Sequence, residues 1–183
     1  MSLSVRRAVA ADAAELARVA AITFPLACPP STTEQAKADF IATTLSETAF
    51  GGYLAAADHI LLLASVDGAS AGYTMLVTGE PYDADVRGVV TARPTVELSK
   101  VYVMPEQHGA GVAAALMEAS LAAARESGAV SIWLGVNNEN VRANRFYEKS
   151  GFEVVGMKKF RLGEVDEEDF VMVRDLAPSG STP

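Results

Sequence analysis

Hydrophobic and polar positions along this chain switch between a period of two and a period of about 3.6, which separates strands from helices before any motif is considered. Val5 to Val9 reads as a short strand. Asp12 and Glu15 form a capping-box pattern ahead of Leu16, Val19, Ala20 and Thr23, which share one helical face, and Pro25 is expected to end that helix. Thr32 with Gln35 opens a second helix through Phe40, Ile41 and Thr44, so two adjacent helices should follow the first strand. Ile60 to Val66 and Ala71 to Val77 flank Asp67-Gly68-Ala69-Ser70 and predict an antiparallel hairpin. The Gly-, Pro- and Asp-rich stretch from Gly79 to Pro94 reads as a long surface loop.

The strand Thr95 to Val103 contains a slip of phase. Val96 and Leu98 are in register with each other, but Val101 and Val103 fall one residue out. Because strand side chains alternate faces, burying both pairs together requires an extra residue near Ser99 or Lys100, which is a bulge that splays the strand from its neighbour. Met104 to Ala110 is then a loop and Gly111 to Ser127 a helix, with Val112, Leu116, Ala119 and Ala123 inward and Gly128 closing it. Ser131 to Val136 is a buried strand, and Asn140 to Ser150 a helix with Ala143, Phe146, Tyr147 and Ser150 on one stripe, ended by Gly151-Phe152. Phe152 to Met157 and Phe170 to Val173 are the last predicted strands.

Composition narrows what such a domain can do. The chain has 183 residues, enough for one domain, assigned here to residues 1–176, with the polar tail 177–183 expected to be disordered. The most apolar run, Ile60 to Val66, is far short of the roughly 20 residues that span a bilayer. Asp12 and Glu15 interrupt anything resembling a secretory signal, so a cytoplasmic location is expected. Fifteen basic against 23 acidic residues give a net charge of -8, which argues against nucleic acid or an anionic membrane as partner. An anionic ligand must therefore be held by local geometry. The single cysteine, Cys28, excludes an intramolecular disulfide and a multi-cysteine zinc site, and no metal is implied. Cys28 in its Pro-rich setting and His59 both read as structural residues.

Candidate chemistry concentrates where the bulged strand meets the next helix. Strand Val101-Tyr102-Val103, the loop through His108-Gly109-Ala110, and Gly111-Val112-Ala113 at the helix start aim free backbone N–H groups and the positive end of a helix dipole at one spot. A pyrophosphate suits that spot, and the glycines let it approach the backbone closely. Gly109 to Ala114 also satisfies the G-x-G-x-x-(G/A) dinucleotide pattern. However, Met104–His108 intervenes between strand and first glycine, and no acidic residue closes the following strand, so a dinucleotide site is weakly supported.

From Glu97 to Leu176 the chain resembles the GCN5-related N-acetyltransferase (GNAT) superfamily. His108-Gly109-Ala110-Gly111-Val112-Ala113 resembles its (Q/R)-x-x-G-x-(G/A) loop, with His108 departing from the usual Gln or Arg. Asn140-Val141-Arg142-Ala143-Asn144-Arg145-Phe146-Tyr147-Glu148-Lys149-Ser150-Gly151-Phe152 resembles its N-x-x-A-x-x-F-Y-x-x-x-G-F segment. The resemblance implies a single α/β (α+β) domain with a mixed, mostly antiparallel, splayed sheet flanked by helices. It implies acetyl-CoA as cosubstrate, its pantetheine lying along the backbone of Val101 and Val103 and its pyrophosphate in the Gly109–Ala113 loop. It further implies Glu97 as general base, Tyr147 as general acid, and the Val103 N–H as the group that polarises the thioester. Asn140 and Lys149 join the coenzyme-binding set, Lys149 within a basic cluster of Arg142, Arg145, Lys158, Lys159 and Arg161, which faces either the coenzyme's 3'-phosphate or solvent.

The acceptor is implied to be a small-molecule amine. Ser131–Val136, Phe160–Glu164 and the acidic run Glu164, Asp166, Glu167, Glu168 and Asp169 are similar to bacterial polyamine N-acetyltransferases, and such a run would attract a polycation. Protein N-termini and a non-catalytic acyl-CoA sensor remain alternatives at this point, and the resemblance admits a homodimer.

Overall fold

Strand β1 (Leu3–Arg7) pairs antiparallel with β2 (His59–Val66), which forms the expected hairpin with β3 (Ala69–Thr78), and β3 pairs in turn with β4 (Thr95–Val103). In this computed structural model, which describes residues 1–176, β4 lies parallel to β5 (Ser131–Asn137). β5 is then followed in the sheet by β7 (Val165–Asp175) and β6 (Glu153–Leu162), giving the order β1-β2-β3-β4-β5-β7-β6. The sheet is mixed and mostly antiparallel, as expected. The tail predicted to be disordered lies outside the described residues.

The phase slip in β4 is resolved as predicted. Met75 pairs with Lys100 but Leu76 pairs with Leu98, leaving Ser99 as the extra residue. Val96 and Leu98 are buried in one core with Val101 and Val103 packed on the same side, while Tyr102 turns to the opposite face. On the other edge of β4 the parallel ladder runs only from Thr95↔Ser131 to Glu97↔Trp133. Beyond Glu97 the sheet opens into a V.

Two apolar layers cover the sheet. Helix α5 (Val112–Glu126) lies on one face, burying Val112, Leu116, Met117, Leu121 and Ala124 against Ile60, Leu76, Val96 and Ile132. Inside that layer the Thr74 and Ser120 hydroxyls, both fully buried, bond to each other at 2.8 Å. Ser120→Ala therefore leaves the Thr74 hydroxyl unpaired, and denaturant unfolding should show a loss of about 1–2 kcal/mol. The other face carries α1 (Ala13–Ala27), α2 (Glu34–Thr43) and α3 (Glu47–Ala55), whose core includes Leu16, Val19, Phe24, Phe50, Tyr73 and Met75.

Five expectations are corrected by this arrangement. The Asp12–Glu15 capping box does not form: the Asp12 carboxylate accepts from the Val9 N–H at 2.7 Å and pairs with Arg6, while Glu15 pairs with Arg18. Pro25 does not end α1 but sits in its last turn, where its missing N–H removes one hydrogen bond close to an end that frays anyway. The cap of α2 is Thr33 rather than Thr32, with its hydroxyl accepting from the Ala36 N–H at 3.1 Å. A third helix, α3, follows α2, capped by Ser46 and anchored by the fully buried Phe50 ring. Within the predicted loop 79–94, α4 (Ala84–Val89) buries Val86, with Val90 just beyond it, against Trp133 and Val171.

The last hairpin is longer than the apolar residues alone suggested. Lys158 stands opposite Asp169, Lys159 opposite Glu168 and Arg161 opposite Asp166, so charged residues extend β6 and β7 by matching opposite signs across the strands. Asp166, Glu168 and Asp169 of the acidic run thus lie in β7 opposite three of the six clustered basic residues, while Glu164 stays exposed in the turn. Helix α6 (Val141–Lys149) packs Ala143, Phe146 and Tyr147 against the α5-side core; Gly151 at φ 88° and a Tyr147–Phe152 ring contact at 5.9 Å terminate it.

Candidate active site

The V between β4 and β5 is where the two functional motifs converge. At the end of β4 the chain turns through Pro105–Gln107, passes Gly109 and Gly111 at φ 83° and 82°, and enters α5. The first helical bond runs from the Ala115 N–H to the Gly111 carbonyl, and no side chain caps the helix. Among the described residues the amides of Gly111, Val112, Ala113 and Ala114 therefore have no backbone partner, at the positive end of a helix dipole. This donor set matches a pyrophosphate.

A cavity of about 460 Å³ runs from this loop to α6, lined by Val101, Tyr102, Val103, Gly109, Gly111 and Tyr147 among others. Val101 and Val103 have lost the β5 ladder on that side, so an extended ligand can lie along β4 as a strand would. No Cβ added at Gly109 or Gly111 meets another atom within 4 Å, so the glycines are required by positive φ and by ligand approach rather than by crowding. Gly111→Ala should destabilise the fold by about 1–2 kcal/mol, the cost of holding alanine at positive φ, and should weaken coenzyme A binding by calorimetry where the cradle relaxes to relieve that strain.

The remaining residues of the coenzyme set are placed unevenly. His108 lines the cavity with its Nε2 3.1 Å from the Val103 carbonyl oxygen, so its ring ties the loop to the strand end. The Ala110 N–H already donates to the Gln107 carbonyl at 3.1 Å, and the Val112 side chain is buried in the core, leaving only its amide to serve a ligand. Ala113 lines the cavity. Asn140 caps α6, its Oδ1 accepting from the Ala143 N–H at 3.1 Å, and borders this cavity and the next one. Lys149 is exposed at the far end of α6 and borders neither cavity. Arg142, the second residue of that helix, borders the first cavity instead.

A second cavity, of about 390 Å³, lies across Tyr102, Val101 and Tyr147 from the first. Its lining includes Glu97, Lys100, Lys158 and Asp169 together with Phe24, Phe40 and Phe160, and Lys158 Nζ lies 5.5 Å from the Phe160 ring centroid. Burial pushes the Glu97 carboxyl above the usual carboxylate range, with the charges of Lys158, Lys100 and His59 opposing the shift. Burial also raises the Tyr147 phenol to about 12, so it stays protonated at neutral pH. The Tyr147 hydroxyl has no hydrogen-bond partner among the described residues; only its ring is engaged, with Phe146 and Phe152. Tyr82, 75% exposed on the loop ahead of α4, borders the same cavity. Cys28 also borders it, but its Sγ donates to the Phe24 carbonyl at 3.3 Å and burial pushes its thiol up, away from the thiolate a nucleophile needs.

Sequence reasoning did not single out Lys100 or Tyr82 as site residues, and it gave Lys158 and Asp169 only as members of a basic cluster and an acidic run. Lys100 was open to inference: once Ser99 is the bulge, the alternation puts Glu97, Lys100 and Tyr102 on one face. Lys158 and Asp169 form a buried ion pair at 3.6 Å, with Lys158 stretched over Gly135, where any Cβ would meet its Cε at 2.5 Å.

Comparison with known proteins agrees with this geometry. The acetyltransferase (GNAT) family model matches residues 25–152. An uncharacterized N-acetyltransferase of Mycobacterium tuberculosis is 48% identical over 165 residues, covering 90% of this chain and 98% of that protein. One from Lactobacillus delbrueckii subsp. lactis is 27% identical over 140 residues, covering 76% and 78%. Among solved structures, the PaiA N-acetyltransferase of Thermoplasma acidophilum in complex with coenzyme A has a TM-score of 0.75 at 21% identity, covering 96% of this chain and 99% of that one. The ribosomal-protein-S18-alanine N-acetyltransferase of Escherichia coli has a TM-score of 0.68 at 16% identity, covering 100% and 99%. At such identities the structural likeness speaks for the fold, while the family model and the mycobacterial relative speak for membership. The chain belongs to the acetyltransferase (GNAT) family and is an acyltransferase whose cosubstrate is acetyl-CoA.

Proposed function

We propose that the chain transfers an acetyl group directly from acetyl-CoA to the primary amine of a small molecule, both substrates being bound at once. The observation that carries this is the meeting of two cavities at Tyr147, one bearing unpartnered amides and the other the Glu97 carboxyl. When bound, acetyl-CoA supplies the thioester whose carbonyl carbon forms the new bond to nitrogen as its bond to sulfur breaks.

Each part of the chain then has a task. The Gly111–Ala114 amides hold the pyrophosphate and the free edge of β4 at Val101 and Val103 holds the pantetheine arm. The Val103 N–H stabilises the negative charge developing on the thioester oxygen. Glu97 takes the proton from the acceptor ammonium, directly or through water, and its raised pKa brings it closer to the ammonium it must deprotonate. Tyr147, protonated because its phenol is raised to about 12, returns a proton to the departing thiolate. The reading carries a cytoplasmic location, where acetyl-CoA is at hand. Among the described residues no helix is long and apolar enough to cross a membrane.

The acceptor class is the finer question. The electrostatic reason for a polycation was the acidic run, and three of its five charges, Asp166, Glu168 and Asp169, stand opposite basic residues across β6–β7, which weakens that reason. Polyamines are therefore one arm of the test rather than its premise. The test is acetyl-CoA-dependent release of free thiol across amines, with mass spectrometry of the products: an acetylated amine formed one for one with thiol supports the reading.

A further inference from the structure

The charged residues bordering the acceptor cavity can be accounted for one by one. Asp169 pairs with Lys158, both less than 9% exposed. Glu167 accepts from the Ser31 hydroxyl at 3.0 Å and from the Asn137 side-chain amide at 3.3 Å. That leaves Glu97 and Lys100, one anion and one cation on the same face of the bulged strand. Neither has a hydrogen bond or ion pair among the described residues. For both, burial is the largest influence, and Glu97 is the charge that acts on Lys100. Both are half-buried on an open cavity, where two unpaired charges of opposite sign each offer a ligand one partner.

From this juxtaposition we infer that the acceptor is a zwitterionic, amino-acid-type amine, its ammonium facing Glu97, its carboxylate facing Lys100, and an apolar side chain against Phe24, Phe40 and Phe160. The aromatic wall is continuous, with Phe24 stacked on Phe40 at 4.6 Å and Phe40 edge-on to Phe160 at 6.1 Å. A volume of about 390 Å³ lies toward the small end of small-molecule sites. A polycation answers Glu97, and Glu167 with its far end, but leaves Lys100 facing like charge. A plain monoamine leaves Lys100 unanswered. A peptide N-terminus lacks the adjacent carboxylate. Only the zwitterion satisfies both charges.

The inference rests on the acetyltransferase reading, and the experiment separates the two. Thiol release is measured with L-phenylalanine, L-phenylalaninamide, phenethylamine, spermidine and a tripeptide with a free N-terminus, using the native chain, Lys100→Met and Lys100→Arg. Phenylalanine should exceed its amide in kcat/KM by about tenfold or more. Lys100→Met should erase that ratio by lowering the amino-acid value alone, and Lys100→Arg should restore much of it. Equal use of acid and amide, preference for spermidine or the peptide, or a Lys100→Met loss shared by all acceptors overturns the inference while leaving the acetyltransferase reading intact. If no amine releases thiol, it is that reading which fails. Calorimetry with coenzyme A bound then still decides the inference: phenylalanine binding that Lys100→Met abolishes supports it, and its absence overturns it.

Discussion

Tyr147→Phe should lower kcat about a hundredfold or more while leaving coenzyme A affinity and thermal stability close to native. The substitution removes one oxygen and nothing else. The ring keeps its contacts with Phe146 at 5.5 Å and Phe152 at 5.9 Å, and the hydroxyl has no hydrogen bond among the described residues to lose. The backbone role also survives, since the Tyr147 carbonyl accepts from the Phe152 N–H at 3.0 Å in either variant. What disappears is a proton held on an oxygen at the meeting point of both cavities, raised by burial to about 12 and so available throughout the neutral range. Thiol-release kinetics together with calorimetry check this; a change in binding with kcat intact would make Tyr147 a packing residue.

Glu97→Gln should lower kcat/KM by about two to four orders of magnitude near neutral pH, and it should not destabilise the protein. The sign follows from burial. A carboxyl whose folded pKa is raised holds its proton more tightly in the folded state than in the unfolded chain, so its contribution favours folding at low pH and turns unfavourable as pH rises through the raised value. At neutral pH the ionised Glu97 therefore costs stability that a neutral Gln does not, and the melting temperature should hold or rise as activity falls. The native kcat/KM should climb with pH through a limb above the ordinary carboxylate range, about 4.3 for Glu, and the variant should lose that limb. Lower stability with preserved turnover would assign Glu97 a structural role. Native activity flat across that limb would remove it as the base.

The parts of the fold that were legible in the sequence are those where one physical rule acts alone. The bulge at Ser99 follows from alternation, because no other register buries Val96, Leu98, Val101 and Val103 together. The loop-to-helix cradle follows from glycines at Gly109 and Gly111, whose positive φ few other residues adopt. Where tertiary contacts overrode local signals, the sequence was silent or misleading. The α3 segment carries Gly51 and Gly52 and reads poorly as a helix, yet Phe50 wedged beside Tyr53 and Tyr73 holds it. The α4 turn is too short for periodicity and owes its place to Val86 against Trp133. The β6–β7 hairpin extends through charged residues because each charge finds its opposite only once the strands are paired. The same pairing set Lys158, Lys159 and Arg161 opposite acidic residues, and Lys149, at the far end of α6, borders neither cavity.

The account stands most directly on whether catalysis occurs at the junction of the two cavities. The measurement is acetyl-CoA-dependent thiol release by the native chain with the amine panel, repeated with Tyr147→Phe under conditions where calorimetry shows coenzyme A bound to both. Release matched by acetylated amine in the native chain, with a loss of about a hundredfold in the variant, is the predicted result. Tight coenzyme A binding with no thiol released to any acceptor would contradict the account.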